Sequence, residues 1–174
     1  MSVFASLARE HALLLRLVAR LERGAADPDP RVAARETRNV LLVLFKALEA
    51  HERLEDAVFA ATPERPSLAA AKALAEVEKQ HRALGVLREE ASQAMRSLDP
   101  EGGETIRAVG VRLAHLLRGH FNEEERRLWP SFNTYASRST LNLLSRRAER
   151  QVVEMERELD RYWEAIGDYL TGDR

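Results

Sequence analysis

The chain has 174 residues, 27 of them Lys or Arg and 28 Asp or Glu, for a net charge of −1. That length suits one domain with a real core, and the near-neutral balance leaves no basic field to support nucleic-acid binding. Cysteine is absent, which excludes disulfides, thiol catalysis and thiolate metal sites. Ala, Leu, Glu and Arg dominate, all strong helix formers, while Gly and Pro are few and clustered, so the composition reads as all-α.

A first helix is expected over 3–23, where Phe4, Leu7, His11, Leu14, Leu15 and Val18 recur at helical spacing. Arg9, Glu10, Arg16 and Arg20 interrupt it, so it reads neither as a signal peptide nor as a membrane helix, and a cytoplasmic location is the default. Gly24 and the run Asp27-Pro28-Asp29-Pro30 stop it, with Asp29 as N-cap and Pro30 as first residue of the next helix. That second helix runs from about 30 to 60, with an inner stripe of Leu41, Leu44, Leu48, His51, Glu55 and Val58. Thr62-Pro63-Glu64-Arg65-Pro66 breaks the pattern. A third helix covers about 66–97, with Leu74, Val77, His81, Leu84, Ala91 and Met95 inward.

Asp99-Pro100-Glu101-Gly102-Gly103 is the clearest turn. The fourth helix is expected over about 104–128, with Ile106, Val109, Leu113, Leu117, His120 and Glu124 inward. Trp129-Pro130 should end it, because the residue before proline disfavours helix. Residues 131–138 read as an irregular connection. A fifth helix follows over about 140–170, its apolar residues spaced three and four apart from Leu141 through Leu144, Ala148, Val152, Met155, Leu159 and Tyr162 to Ile166 and Tyr169. Short connections between long helices imply an up-down-up-down antiparallel four-helix bundle over residues 1–130. Residues 131–174 are then a long C-terminal fifth helix, packed on the bundle or forming the interface of a homodimer.

The two halves repeat. His11-x-x-Leu14-x-x-Leu17 parallels His81-x-x-Leu84-x-x-Leu87, an offset of 70 residues. His51-x-x-x-Glu55-Asp56-x-x-Phe59 parallels His120-x-x-x-Glu124-Glu125-x-x-Leu128, an offset of 69. A duplicated helical hairpin explains both. Counted from the helix ends, His11, His51 and His120 fall in one layer of the bundle, with His81 about a turn deeper. A histidine and a carboxylate four apart on an apolar helix face are costly to bury unless something binds them.

Four imidazoles and two carboxylates suit iron, manganese or zinc. Six ligands are too many for one tetrahedral zinc. Two metal ions sharing Glu55 and Glu124 fit better, with oxide, hydroxide or a bound anion completing the charge balance. Histidine-rich ligation leaves such a pair open to a small diatomic molecule. The bland alternative, a set of satisfied core histidines, is weakened by their matched positions and by the paired glutamates.

On these residues the chain resembles the hemerythrin-like, or HHE cation-binding, family, over residues 3 to about 130. The resemblance implies a four-helix bundle around a non-haem di-iron centre. By position, the metal ligands would be His11, His51, Glu55, His81, His120 and Glu124. Leu128-Trp129-Pro130 fits the family's apolar residue and proline after the last carboxylate. Oxygen-carrying hemerythrins place two histidines four apart on the third helix, whereas here Val77 and Gly85 flank His81 at that spacing. One metal would then have an open position, or Glu78 would swing in. The glutamate at four on the fourth helix matches the wider bacterial and regulatory branches.

Elsewhere, His115 points away from the inner stripe by about 200° from Leu113. Glu52, Glu123 and Glu125 read as surface residues, with support of a metal ligand as the alternative. Trp129 and Phe132 read as a cap on the bundle end. The leading expectation is therefore a non-enzymatic protein that binds two irons and senses, stores or carries dioxygen, nitric oxide or iron itself, with manganese or zinc as alternative metals. The alternatives are a di-iron enzyme, acting in ferrous iron oxidation, peroxide breakdown or nitric oxide reduction, and a helical interaction module working through the fifth helix.

Overall fold

A computed structural model describes residues 2–60, 67–96, 100–133 and 138–170. The described residues form α1 (Val3–Ala25), α2 (Pro30–Phe59), α3 (Leu68–Arg96), α4 (Pro100–Glu123), a π-helical turn (Glu124–Leu128), α5 (Trp129–Asn133) and α6 (Arg138–Leu170). No strand occurs among them. Ser2 caps α1 by accepting from the Ala5 amide, and Asp29 caps α2 by accepting from Arg31 and Val32, with Pro30 in the first turn.

Cross-helix contacts fix the directions. Across α1 and α2, His11 meets His51 and Arg20 pairs with Glu36, so the two run antiparallel. Arg88 reaches back to Glu52, and Arg38 to the Met95 carbonyl, so α3 opposes α2. Arg112 with Glu90, and His120 with Gln80, make α4 antiparallel to α3. The result is the up-down-up-down bundle. Gly110 lets α4 lie close against its neighbours, since a Cβ there would stand 2.8 Å from Thr37 Cγ2.

The apolar interior has two parts. One contains Leu14, Leu17, Leu44, Leu48, Leu84, Leu113, Leu117 and Phe121. The other contains Val3, Leu7, Leu54, Val58, Val77, Leu128, Trp129 and Phe132. Between them, at His11, His51, Glu55, His81, His120 and Glu124, the inner stripe of every bundle helix turns polar. The bundle thus gives up a layer of apolar burial worth about 1.5–3 kcal/mol per large side chain.

The expected end of the fourth helix needs correction. Trp129-Pro130 does not end it: the chain continues through the π-helical turn into α5, and residues 131–133 are helical. The Trp129 amide bonds to the Glu124 carbonyl, five residues back. That wider turn relieves the clash a proline ring makes with the carbonyl four residues earlier. It also turns Leu128, Trp129 and Phe132 inward, where all are buried. At the other end α4 begins at Pro100 rather than near 104, so Gly102 and Gly103 lie inside its first turn, and proline suits the first helical position. The connections at 61–66 and 134–137 lie outside the described residues.

The fifth helix of the sequence is α6, which starts at Arg138. It packs across α1 and α2, burying Leu144, Ala148, Val152, Met155 and Leu159. Arg9 pairs with Glu156 and Arg16 lies over Trp163, so α6 runs parallel to α1. Gln151 meets Ala50 and Lys46 meets Glu158, so it runs antiparallel to α2. Among the described residues no helix is long and apolar enough to cross a membrane.

Candidate metal centre

His11 comes from α1, His51 and Glu55 from α2, His81 from α3, His120 from α4, and Glu124 from the first position of the π-helical turn. The four-residue spacing aims each histidine–glutamate pair at the same face. All but His81 are at most 1% exposed, and the His81 side chain is 23% exposed. His81 lies in the same layer as the others rather than a turn deeper, its Nε2 3.7 Å from Glu55 Oε2 and 4.0 Å from Glu124 Oε1.

Two groups of possible ligand atoms emerge, each within 4.8 Å: His11, His51, Glu55 and Glu124, and then Glu55, His81, His120 and Glu124. The two glutamates belong to both. In the first group His11 Nε2 lies 3.0 Å from His51 Nε2 and 3.2 Å from Glu124 Oε2, and His51 Nε2 lies 3.4 Å from Glu55 Oε1. In the second, His120 Nε2 lies 3.3 Å from Glu124 Oε1. Bonds of about 2.1 Å to a common metal, at angles from about 90° to 109°, hold donor atoms roughly 3.0–3.4 Å apart.

Three of the four rings are held from behind. His51 Nδ1 donates to Glu10 Oε2 at 2.8 Å, and His11 Nδ1 to Glu125 Oε1 at 2.8 Å. His120 Nδ1 donates to Gln80 Oε1 at 3.1 Å. Each of these oxygens accepts a hydrogen bond from Nδ1–H, which leaves the Nε2 lone pair facing the layer, as ligation of a metal requires. The 3.0 Å approach of two such Nε2 atoms is repulsive unless a cation or a proton lies between them. Phe121 and Trp129 sandwich His11, with ring centroids 4.1 Å and 4.7 Å away.

The electrostatics express the same tension. Burial lowers His11 to about 4, although the Glu125 carboxylate pulls the other way, and burial lowers His120 to about 3. Burial also opposes charge on His51, but Glu55 and Glu10 outweigh it and hold His51 well above the ordinary histidine value. Burial raises Glu55, yet the His51 charge beside it brings Glu55 down to about 2. Glu124 is pushed up, first by burial and then by the Glu55 charge. Without a metal, then, one imidazolium offsets one carboxylate while the second carboxylate is driven towards its neutral form. All four carboxylate oxygens, and His81 Nε2, are buried without a hydrogen-bond partner. Unpartnered buried carboxylates are rare because desolvating them is expensive. Divalent first-row cations of the iron, manganese and zinc kind fit this mixed imidazole and carboxylate donor set.

The hemerythrin HHE cation-binding domain family matches residues 2–132, so the chain belongs to the hemerythrin HHE family. The matched segment ends in α5 and leaves α6 outside. Nothing among curated proteins matches the chain, and nothing among solved structures does.

The other candidates fall as follows. Glu78 is exposed and does not turn towards the layer, Val77 is fully buried in the second apolar cluster, and Gly85 is exposed. His115 is exposed on α4. Glu52 pairs with Arg88 and Glu123 with Arg127. Glu125 departs from its surface reading: although exposed, it reaches His11 from outside. Glu10 and Gln80 escaped the sequence reading because each looks like an ordinary charged or polar helix residue. The repeat contained the signal, since Glu10 and Gln80 immediately precede His11 and His81 and so share their offset of 70.

Proposed function

We propose that this chain binds two iron ions, one between His11 and His51 and one between His81 and His120, with Glu55 and Glu124 shared by both. At that centre it would bind or sense dioxygen or nitric oxide, or handle iron itself. The observation that carries this reading is the set of four buried carboxylate oxygens without partners, set between two pairs of imidazoles. Bound iron would supply a redox-active Lewis-acid centre able to take a diatomic ligand. The protein's part is to hold the imidazoles by Nδ1, to keep water off the layer with Phe121, Trp129 and the two apolar clusters, and to leave access beside the partly exposed His81. Manganese and zinc suit the same donors.

Protein purified from iron-rich medium should contain about two irons per chain and show near-ultraviolet charge-transfer absorption. His51→Ala and His120→Ala should each lower the metal content. A colourless, metal-free protein whose melting temperature ignores added metal would refute the reading. Access at His81 also admits an enzymatic reading at the same metals. Reversible spectral change with oxygen or nitric oxide supports binding, whereas net consumption of peroxide, nitric oxide or ferrous iron supports catalysis. As α6 lays its apolar face on α1 and α2, self-association through this helix would fall to its outward side, where Leu143 and Val153 are exposed.

A further inference from the structure

Glu10 is fully buried on α1, outside both ligand groups. A carboxylate in that position is costly unless its oxygens are satisfied. His51 Nδ1 satisfies one side. The rest comes from α6: Gln151 Nε2 donates to Glu10 Oε1 at 3.0 Å and to Oε2 at 3.2 Å, and also to the Ala50 carbonyl at 3.0 Å. All three partners are acceptors, so the amide must present its NH2 end. Gln151 thereby ties α1 to α2 one residue before His51. The repeat supplies a control within the molecule. Gln80, at the place matching Glu10, holds His120 with a neutral amide, is only partly buried and, among the described residues, takes no donor from α6. Of this matched pair, the carboxylate is the one that α6 covers.

We propose that Glu10 and Gln151 form a positioning relay for His51, so that α6, although outside the matched family segment, is a working part of the His11/His51 metal site. The relay fixes the His51 ring with Nε2 turned into the layer. By reciprocity, metal held by His51 must favour the seated position of α6 as much as that seating favours metal. This inference rests on the metal reading of the site above.

Anaerobic titration of metal-free protein with cobalt(II), followed by its visible ligand-field absorption and by equilibrium dialysis, tests both. Wild type should take two equivalents. Gln151→Ala should weaken one of them about ten- to a hundredfold and leave the other unchanged. Glu10→Gln, which removes the charge and sets a second NH2 group against the Gln151 amide, should weaken the same equivalent at least as much. Lys46→Ala cuts a different α2–α6 tie, Lys46 to Glu158, and should titrate as wild type. Metal should slow amide exchange over residues 144–159 in wild type and lose that effect in Gln151→Ala. If Gln151→Ala does not fold, the Glu10→Gln titration and the wild-type exchange decide. A Gln151→Ala protein that binds both equivalents like wild type overturns the relay alone. So does an equal weakening of both equivalents that Lys46→Ala reproduces, because Gln151 would then be ordinary packing. A wild type that takes no cobalt overturns the metal reading and the relay together.

Discussion

The two halves of the polar layer descend from the same pattern but are finished differently. In the His11/His51 half both rings are fully buried and both Nδ1 atoms donate to carboxylates, Glu125 and Glu10. In the His81/His120 half the neutral Gln80 holds His120, and His81 is partly exposed. The place matching Glu125 is Asp56, one methylene shorter, on a helix with no π-helical turn, and it is exposed. A carboxylate behind an imidazole fixes the ring and raises its basicity more than an amide does. If each half takes a metal ion, the first is built to hold it and the second is built with slack and access. If two metals sit here, exchange of ligand or metal belongs to the His81/His120 side.

The largest effect should come from a residue both halves share. Glu124→Gln should reduce metal content from two towards none, read by metal analysis. The metal-free protein should lose less than about 1 kcal/mol in urea unfolding, because neither oxygen of Glu124 has a hydrogen bond to lose. A large loss of apo stability would mean that Glu124 is a structural group. The next effect separates the halves. His51→Ala leaves Glu10 buried with Gln151 as its remaining partner and should destabilise the metal-free protein by about 3–5 kcal/mol. His81→Ala, at a partly exposed ring whose Nε2 has no hydrogen-bond partner, should cost less than about 1 kcal/mol. Equal costs would erase the asymmetry.

The comparison can also be sharpened by making the second half resemble the first. Gln80→Glu gives His120 a carboxylate, and Asp56→Glu adds the reach that Glu125 has. Together they should tighten the weaker metal up to about tenfold, in line with the influence of groups behind ligating histidines. The check is a titration of the double variant against wild type, with the tighter equivalent as internal reference. An unchanged weaker equivalent would assign the slack to the placement of α3 rather than to these two side chains.

What the sequence disclosed and what it hid differ in physical kind. The helices were legible because apolar residues at three- and four-residue spacing mark one face of each. The six residues of the layer were legible because polar groups interrupt those faces at two nearly equal offsets. The structure brings all six together. The groups behind the rings were hidden, since Glu10, Gln80 and Glu125 lie just off the inner stripe, where charged and polar residues are ordinary. Gln151 meets Glu10 across 141 residues of sequence, and no local periodicity records such a contact. The π-helical turn was hidden for a similar reason. Pro130 signals a break, and only the wider turn begun at Glu124 shows how the chain passes it without stopping.

The smallest effect tests whether the open half is open because its helices are loose or because its rings are unsupported. Gly85 on α3 and Gly119 on α4 flank the His81/His120 side in sequence. Both have negative φ, and a Cβ at either would meet nothing within 4 Å. Alanine should therefore add about 0.5–1 kcal/mol of stability at each, by reducing the freedom of the unfolded chain in favour of helix. Gly110→Ala, where the added methyl would meet Thr37 at 2.8 Å, should instead cost about 1–3 kcal/mol. Thermal melts of the three variants decide the signs. If Gly85→Ala and Gly119→Ala stabilise the fold yet leave both metal equivalents where they were, stiffness of α3 and α4 is not what limits the second site. The missing carboxylates behind His81 and His120 are then the difference. A stabilised variant that also binds its weaker metal more tightly would move the cause from the side chains to the helices.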